Sequence, residues 1–394
     1  MNNKKNILII SESLVVGGTE KALVYFCNLI PKEEYNVTLM LLQKKGAFLQ
    51  ELPKHINIIT PPFKKKMVAS IGLNFLFKEK IKNRKYFTAF ILLLGIFFYR
   101  FFYWSFVLKI LLFKNEDLMY NLKYSCVFNF CGNNKSKLID ILSRNMYIYD
   151  KKYVVCHTHL NKKFIKNICK TFSKYDVVFT VSKVLKEELH RLLPKSKIEQ
   201  IKFYIDSKEL ITKSQQLDGF KKNGEDVLLS VGRLDRTKGF DITIKACRIL
   251  VDKGYNIKWY IVGDGIEKKN LISLIKENNI ENRFFLLGSK ENPYPFFKSC
   301  DIYVQSSLKE AYCLTLTEAK IFNKPIVTTV FSGTYEQIKD NETGIIVETT
   351  PESIAAGVQK LLDNKDLREK LSNNLKEENK KPRPDYFDEL KKYL

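Results

Sequence analysis

The sequence has no Cys-x-x-Cys pair and no grouping of cysteine with histidine at metal-ligand spacing, although it carries eight cysteines. No zinc site and no disulfide framework can be read from it, and the thiols read as small core residues of a reduced cytoplasm. No collagen, solenoid or coiled-coil period is present. The phosphate-loop pattern GxxxxGK[ST] is absent, and so is the dinucleotide pattern GxGxxG. Acidic residues are scarce: 43 Asp and Glu stand against 66 Lys and Arg, a formal net charge of +23. Such an excess suits nucleic acid, anionic lipid or phosphorylated substrates. A coding bias toward Lys, Asn and Ile would produce it without any ligand. No nucleic-acid-binding module is legible, and the aromatics gather in one apolar block instead of interleaving with Lys and Arg on a face, so no nucleic-acid partner is expected.

What is present indicates a globular enzyme of two domains. A chain of 394 residues with 45% hydrophobic residues exceeds what one core usually organises. The first segment runs Ile7 to Ile10, a glycine-containing loop from Ser11 to Gly18, then an apolar-periodic helix from about Thr19. Basic residues precede Ile7 as in a leader peptide, but the run is short and Glu12 follows it, so it reads as a first strand. The second half repeats the pattern, with strands over 226–231, 257–262, 283–287, 301–305, 325–330 and 344–348. Continuous apolar strands alternating with helices predict parallel sheets covered on both faces. The expected class is α/β, two doubly wound (Rossmann-like) domains facing a cleft: residues 1–205, then 206–380 after a polar linker over 207–225, then a C-terminal helix within 381–394 that returns to the first domain.

One stretch, about residues 64–114, fits neither half. An apolar aromatic block begins at Phe87, is broken by Arg100 and resumes to Phe113, flanked by Lys64, Lys65, Lys66, Lys78, Lys80, Lys82, Arg84 and Lys85 before it and by Lys109 and Lys114 within and after it. The uninterrupted apolar part falls short of the roughly 20 residues that span a bilayer. Spanning through Arg100 would place a guanidinium mid-membrane. A basic collar around aromatics suits an element lying in the interface of an anionic membrane, against the alternatives of a buried helix pair or a true span.

Two loops carry the chemistry. Gly232-Arg233-Leu234-Asp235-Arg236-Thr237-Lys238-Gly239 lies between a strand and a helix. Its glycines let backbone approach a phosphate, the helix offers free N–H groups, and Arg233 and Lys238 add two cations. The second is Glu310 to Glu318, which leaves a strand and opens a helix, so the amides near Cys313 and Leu314 are placed to meet an anion with a carboxylate on either side.

These loops, with Val262-Gly263-Asp264-Gly265, the run Phe285 to Gly288, the Glu310/Glu318 pair eight apart and Lys324-Pro325, resemble in order and register the signature of glycosyltransferase family 4. The resemblance runs from about Leu228 to Val347. It implies a GT-B fold and retaining transfer of a hexose-type sugar from a nucleotide diphosphate sugar, UDP-linked by preference, to a glycan or polyprenyl-diphosphate-linked acceptor of cell-surface polysaccharide synthesis (capsule or O-antigen). Arg233 and Lys238 would hold the donor diphosphate with the amides of Cys313 and Leu314. Glu318 would take the ribose hydroxyls and Glu310 those of the donor sugar. In the first half Gly17-Gly18-Thr19-Glu20 resembles the glycine loop facing the donor, with Gly18 at the phosphates. Val154 to Leu160 resembles the strand ending in an active-site histidine, assigned to His157 over His159 because it falls at the strand end. No Asp-x-Asp motif occurs, and no metal or cofactor is expected, since the two cations and the helix amides would meet the leaving charge. The expected location is cytoplasmic, peripheral or monotopic at the inner membrane face. Three positions depart from the pattern: Ala311 stands where glycine is usual, Phe203 where asparagine often precedes the crossover, and Ser332-Gly333 where a double glycine is found. A GT-B epimerase, or a phosphorylase-like enzyme, is the alternative.

Overall fold

The computed structural model describes residues 4–60, 123–131, 148–159, 165–203, 205–216, 219–382 and 385–394. The membrane-surface segment expected at 64–114 lies outside them, as does Leu160.

Ile7, Leu8, Ile9 and Ile10 are all fully buried, because a parallel strand is covered on both faces and has no side left for polar residues. They lie in the third strand of a sheet that has seven strands among the described residues. Its strands are β1 (Lys5–Ser11), β2 (Tyr35–Leu41), β3 (Asn57–Ile59), β4 (Lys123–Asn129), β5 (Ile148–Cys156), β6 (Val177–Thr180) and β7 (Ile198–Gln200), in the order β3-β2-β1-β4-β5-β6-β7. Ile7 pairs with Val37 on one side and with Cys126 on the other, both parallel. The second sheet has β8 (Asp226–Val231), β9 (Ile257–Val262), β10 (Phe284–Leu286), β11 (Ile302–Gln305), β12 (Ile326–Thr329) and β13 (Ile345–Val347), in the order β10-β9-β8-β11-β12-β13. Leu228 of β8 pairs with Trp259 of β9 and with Ile302 of β11. Trp259 is fully buried, and its indole N–H donates to Ser230 Oγ at 3.1 Å, so its one polar atom is satisfied within the core.

In each sheet the strand order reverses beside one strand, β1 in the first and β8 in the second. Ligands of such sheets bind outside the carboxyl ends of the strands at that switch point. The helices that matter here are α1 (Gly18–Leu29), α2 (Ile165–Phe172), α3 (Lys183–Leu192), α4 (Ser207–Lys213), α5 (Phe240–Asp252), α6 (Lys268–Glu277), α7 (Tyr294–Ser299), α8 (Leu314–Ile321), α9 (Thr334–Gln337), α10 (Pro351–Asp363), α11 (Lys365–Lys380) and α12 (Tyr386–Lys391).

The polar stretch after residue 206 is less of a linker than its composition suggests. Asp206 caps α4 by accepting from the amides of Lys208 (2.9 Å) and Glu209 (3.4 Å), and Leu210 is fully buried against the second core. A cap and one apolar anchor are enough to order a short helix. At the other end, Leu390, Tyr393 and Leu394 pack into the core of the first domain, with Tyr393 edge-on to Phe179 at 4.9 Å between ring centres. Lys391 pairs with Glu34 at 3.2 Å. Among the described residues no helix is long and apolar enough to cross a membrane.

Candidate active site

The loop after β8 and the loop after β11 flank the switch point of the second sheet and are bonded to each other. Asp235 Oδ1 accepts from the amide of Thr237 at 2.9 Å and shapes a 3-10 turn over Arg236–Lys238. Gly239 follows with φ 65°, a left-handed conformation that L side chains rarely adopt. Ser306 Oγ donates to the Lys238 carbonyl at 2.8 Å, and the Leu308 amide to that of Thr237 at 2.8 Å. Across this junction Lys238 Nζ is ion-paired with Glu310 Oε1, which also accepts from Ser307 Oγ at 3.2 Å. Burial works against the charge on Lys238, but Glu310 outweighs it and raises the ammonium pKa. Lys238 is therefore a permanent cation in a partly dehydrated place, where its field is least screened. Arg233 is mostly exposed and held by Asp235 at 2.8 Å. At Gly263, φ is 156° and a side chain would collide with the Gly232 carbonyl, so the ends of β8 and β9 come together as bare backbone.

These loops wall a cavity of about 380 Å³ between the domains. Gly18, Arg233, Lys238, Glu310, Cys313, Leu314 and Glu318 all line it, so seven of the residues singled out from the sequence meet in one place. Cys313 precedes α8 with no side chain capping the helix, which leaves first-turn amides for a ligand. Burial pushes the Cys313 thiol up to about 12, so it remains a neutral wall. A Cβ on Gly18 would meet nothing within 4 Å; packing does not demand glycine there, whereas close approach of a ligand to backbone would. Glu318 lies inside α8 and is buried, with Tyr25 OH from α1 and Tyr294 OH from α7 each donating to its Oε1 at 3.5 Å. Burial raises its carboxyl to about 7, against Lys21 and the two tyrosine hydrogen bonds, which pull it down.

A second chamber of about 1350 Å³ opens on the other side of the same junction and shares Arg233, Lys238 and Glu310 with the first. His157 lines it just beyond the end of β5. Its ring lies between Phe130 (5.4 Å between ring centres) and Phe203 (6.1 Å, near-parallel), and its buried Nε2 has no partner among the described residues. Burial lowers its pKa to about 3, so the imidazole is neutral near pH 7 and can exchange hydrogen bonds but not hold a charge. Phe203, one of the departures from the family pattern, thus forms one wall of the histidine's slot. Among the described residues no group of three His, Cys, Asp or Glu is placed to hold a metal ion.

Residues 213–378 match the family described as Glycosyl transferases group 1. The second domain is thus similar to the group 1 glycosyltransferases over most of its length. A 4-alpha-N-acetylgalactosaminyltransferase of Campylobacter jejuni, whose name gives an N-acetylgalactosamine-N,N'-diacetylbacillosaminyl-diphospho-undecaprenol acceptor, is 35% identical over 152 residues, 38% of this chain. The match spans 40% of that relative's length. Among solved structures, TarM of Staphylococcus aureus superposes with a TM-score of 0.72 at 16% identity, covering 99% of this chain and 98% of its own. Anabaena HepE, solved with UDP and glucose, superposes with a TM-score of 0.66 at 15% identity over 94% and 93% of the two chains. At such identities the likeness concerns the fold, and the fold is GT-B.

The group 1 match begins at residue 213, so it says nothing of what the first domain contributes to the cleft. That contribution comes from residues the sequence reading passed over. Lys21 lies one turn beyond the glycine pair, pairs with Glu51 at 2.7 Å and sits 5.0 to 5.8 Å from the rings of Phe48, Tyr25 and Tyr294. Glu51 is held again by Lys213 of α4 at 2.7 Å, which ties the crossover helix to the glycine loop. The four-residue spacing of Lys21 and Tyr25 puts both on one face of α1; that signal was available, but not the face's partner.

Proposed function

We propose that this chain is a retaining glycosyltransferase that moves a hexose-type sugar from a UDP-linked donor to a lipid-linked or cell-surface glycan at the cytoplasmic face of the membrane. The observation that carries the reading is the junction of Arg233, Lys238 and Glu310 between two cavities. In this reading the smaller cavity takes the nucleotide, with Glu318 on the ribose and the amides of Cys313 and Leu314 on the diphosphate beside Gly18. The larger takes the acceptor. The transferred sugar sits where they meet, against Glu310 and His157. Charge that develops on the leaving diphosphate is met by Arg233, Lys238 and α8, in positions fixed before the reaction. No metal is called for, since two cations already stand where one would act. The UDP complex of HepE supports the nucleotide, and the undecaprenol acceptor in the Campylobacter enzyme's name supports the lipid-linked class. The basic aromatic segment at 64–114 supports work at an anionic lipid surface.

The test is release of nucleoside diphosphate from a panel of UDP-, GDP- and dTDP-sugars, with and without membrane lipid extract, in EDTA. Release from one UDP-sugar that requires lipid and survives EDTA is the expected result. Turnover without acceptor would turn the reading toward an epimerase or hydrolase, and silence with every donor would overturn it.

A further inference from the structure

We propose that Lys21 and Tyr25 of α1 are positioning residues for Glu318 of the other domain, holding its carboxylate ready for the ribose hydroxyls of the donor. The proposal rests on the transferase reading above, in which Glu318 takes the ribose, and adds the first domain's part in that contact. Lys21 and Tyr25 stand four apart and so share one face of the helix. Tyr25 OH donates to Glu318 Oε1 at 3.5 Å, as does Tyr294 OH from α7. Lys21 Nζ lies 5.3 Å from the centre of the Tyr25 ring and 5.8 Å from that of Tyr294, the two rings whose hydroxyls reach Glu318. Lys21 and Glu318 line the donor cavity together. Burial pushes the Glu318 carboxyl up to about 7, and the strongest pull the other way is the Lys21 ammonium, ahead of both tyrosine hydrogen bonds.

The groups around Glu318 divide into helpers and one opponent. Burial holds the Tyr25 and Tyr294 phenols well above their ordinary range, so both keep the protons they donate. Tyr303 of β11, raised in the same way, is neutral too. Glu51, at the end of the 3-10 turn Ala47–Glu51, pairs with Lys21 at 2.7 Å and pushes the Glu318 carboxyl up. Lys213 of α4 holds Glu51 at 2.7 Å and is itself paired with Glu209 at 2.6 Å. The other charged groups of the cavity are Arg233, Lys238, Asp264, Lys290, Glu291 and Glu310. Contacts elsewhere already keep the domains in register. His159 Nδ1 is 2.6 Å from Glu188 Oε2 and its Nε2 2.5 Å from Ser332 Oγ, while Glu336 accepts from the Lys183 amide (2.6 Å) and from Gln200 Nε2 (3.0 Å). With that register held apart from them, Lys21 and Tyr25 act on Glu318, which without α1 would keep one tyrosine and lose its cation.

A charged carboxylate is a stronger acceptor for ribose hydroxyls than a neutral acid. UDP affinity therefore rises with pH and levels off once Glu318 is ionised in the free protein, above about 7. The terminal phosphate of UDP titrates at about 6. The ratio of wild-type to Glu318→Gln affinity at each pH cancels that contribution and isolates Glu318. Lys21 and Glu51 then give opposite signs: removing the cation moves the plateau to higher pH, and removing the opposing carboxylate moves it lower.

The test is calorimetric titration of UDP into the full chain between about pH 5.5 and 9, without divalent metal. Lys21→Met should raise the pH of the plateau by about one, weaken UDP binding about threefold at pH 7 and lose little at pH 9. Tyr25→Phe should shift it the same way by less, and Glu51→Gln should shift it down and tighten binding at pH 6. K21M made in the E318Q protein should change affinity by less than about twofold. Lys213 keeps Glu51 paired in K21M, and Glu209 keeps Lys213 paired in E51Q, so both variants are expected to fold. If K21M does not, Y25F and E51Q decide by shifts of opposite or of equal direction. The proposal is overturned if K21M and E51Q weaken binding alike at every pH, the mark of a broken structural tie. It is overturned equally if K21M leaves the plateau in place, or if it costs as much again in E318Q, the mark of a direct contact with the nucleotide. A wild-type chain that binds no UDP removes the transferase reading and this proposal together; one that binds UDP, loses it in E318Q and is unmoved by K21M removes the proposal only.

Discussion

Lys238→Met and Glu310→Gln will each lower transfer by about 10²- to 10³-fold, the usual cost of removing one fixed group that stabilises transition-state charge. The two side chains form an ion pair at the junction of the two cavities, so they act as a unit. The double variant is accordingly expected to lose little more than the worse single one. Lys238→Met leaves the Glu310 carboxylate with Ser307 alone, and an abandoned charge costs stability; the loss should show as earlier thermal unfolding in K238M than in the uncharged double variant. Both residues sit on loops beyond the strand ends, away from Leu228, Trp259 and Ile302 at the heart of the sheet, so circular dichroism should remain that of the wild type. Folded single variants that transfer at the wild-type rate would refute the site.

Glu318→Gln should weaken donor binding at least tenfold while stabilising the free protein above neutral pH. The sign follows from the direction of the shift. Burial raises the Glu318 carboxyl from its ordinary 4.5 to about 7, so between those values the folded state binds more protons than the unfolded one, and stability falls as pH rises. The contribution is present in full below pH 4.5 and lost once pH passes 7, a difference of up to about 3 kcal/mol at 1.36 kcal/mol per unit. Glutamine has no proton to lose there. The stability gap between the variant and the wild type should therefore move in the variant's favour between pH 4.5 and 8, read by denaturant unfolding at each pH. The functional loss has a separate origin: hydrogen bonds to a charged acceptor contribute about 1.5 to 3 kcal/mol, and the amide oxygen of glutamine offers ribose hydroxyls less. Parallel pH curves for the two proteins would contradict this account of Glu318.

The sequence disclosed the second domain more fully than the first, for physical reasons. Strands such as 226–231 are buried along nearly their whole length and show as largely apolar runs, and the two loops that leave β8 and β11 hold their cavity-lining residues within a few positions of one another. The residues around His159 are of another kind. Glu188 and Ser332 reach it only through folding and domain docking, and neither spacing nor periodicity links positions 159 and 332. Strand-end position favoured His157 over His159, yet the fold gives the two rings different environments, one enclosed by Phe130 and Phe203, the other joined to a carboxylate and a hydroxyl. Tyr25 escaped notice because its role depends on Glu318 of the other domain. The helix at Ser207–Lys213 was hidden by a polar composition that its cap and Leu210 override.

The central claim, that a nucleoside diphosphate occupies the cavity walled by Gly18, Lys238, Leu314 and Glu318, is tested most directly by calorimetric titration of UDP into the intact protein and into K238M, without divalent metal. Saturable one-to-one binding to the wild type, weakened at least tenfold in the folded K238M protein, is the predicted result. Equal affinity in both proteins, or no binding to the wild type, would contradict it.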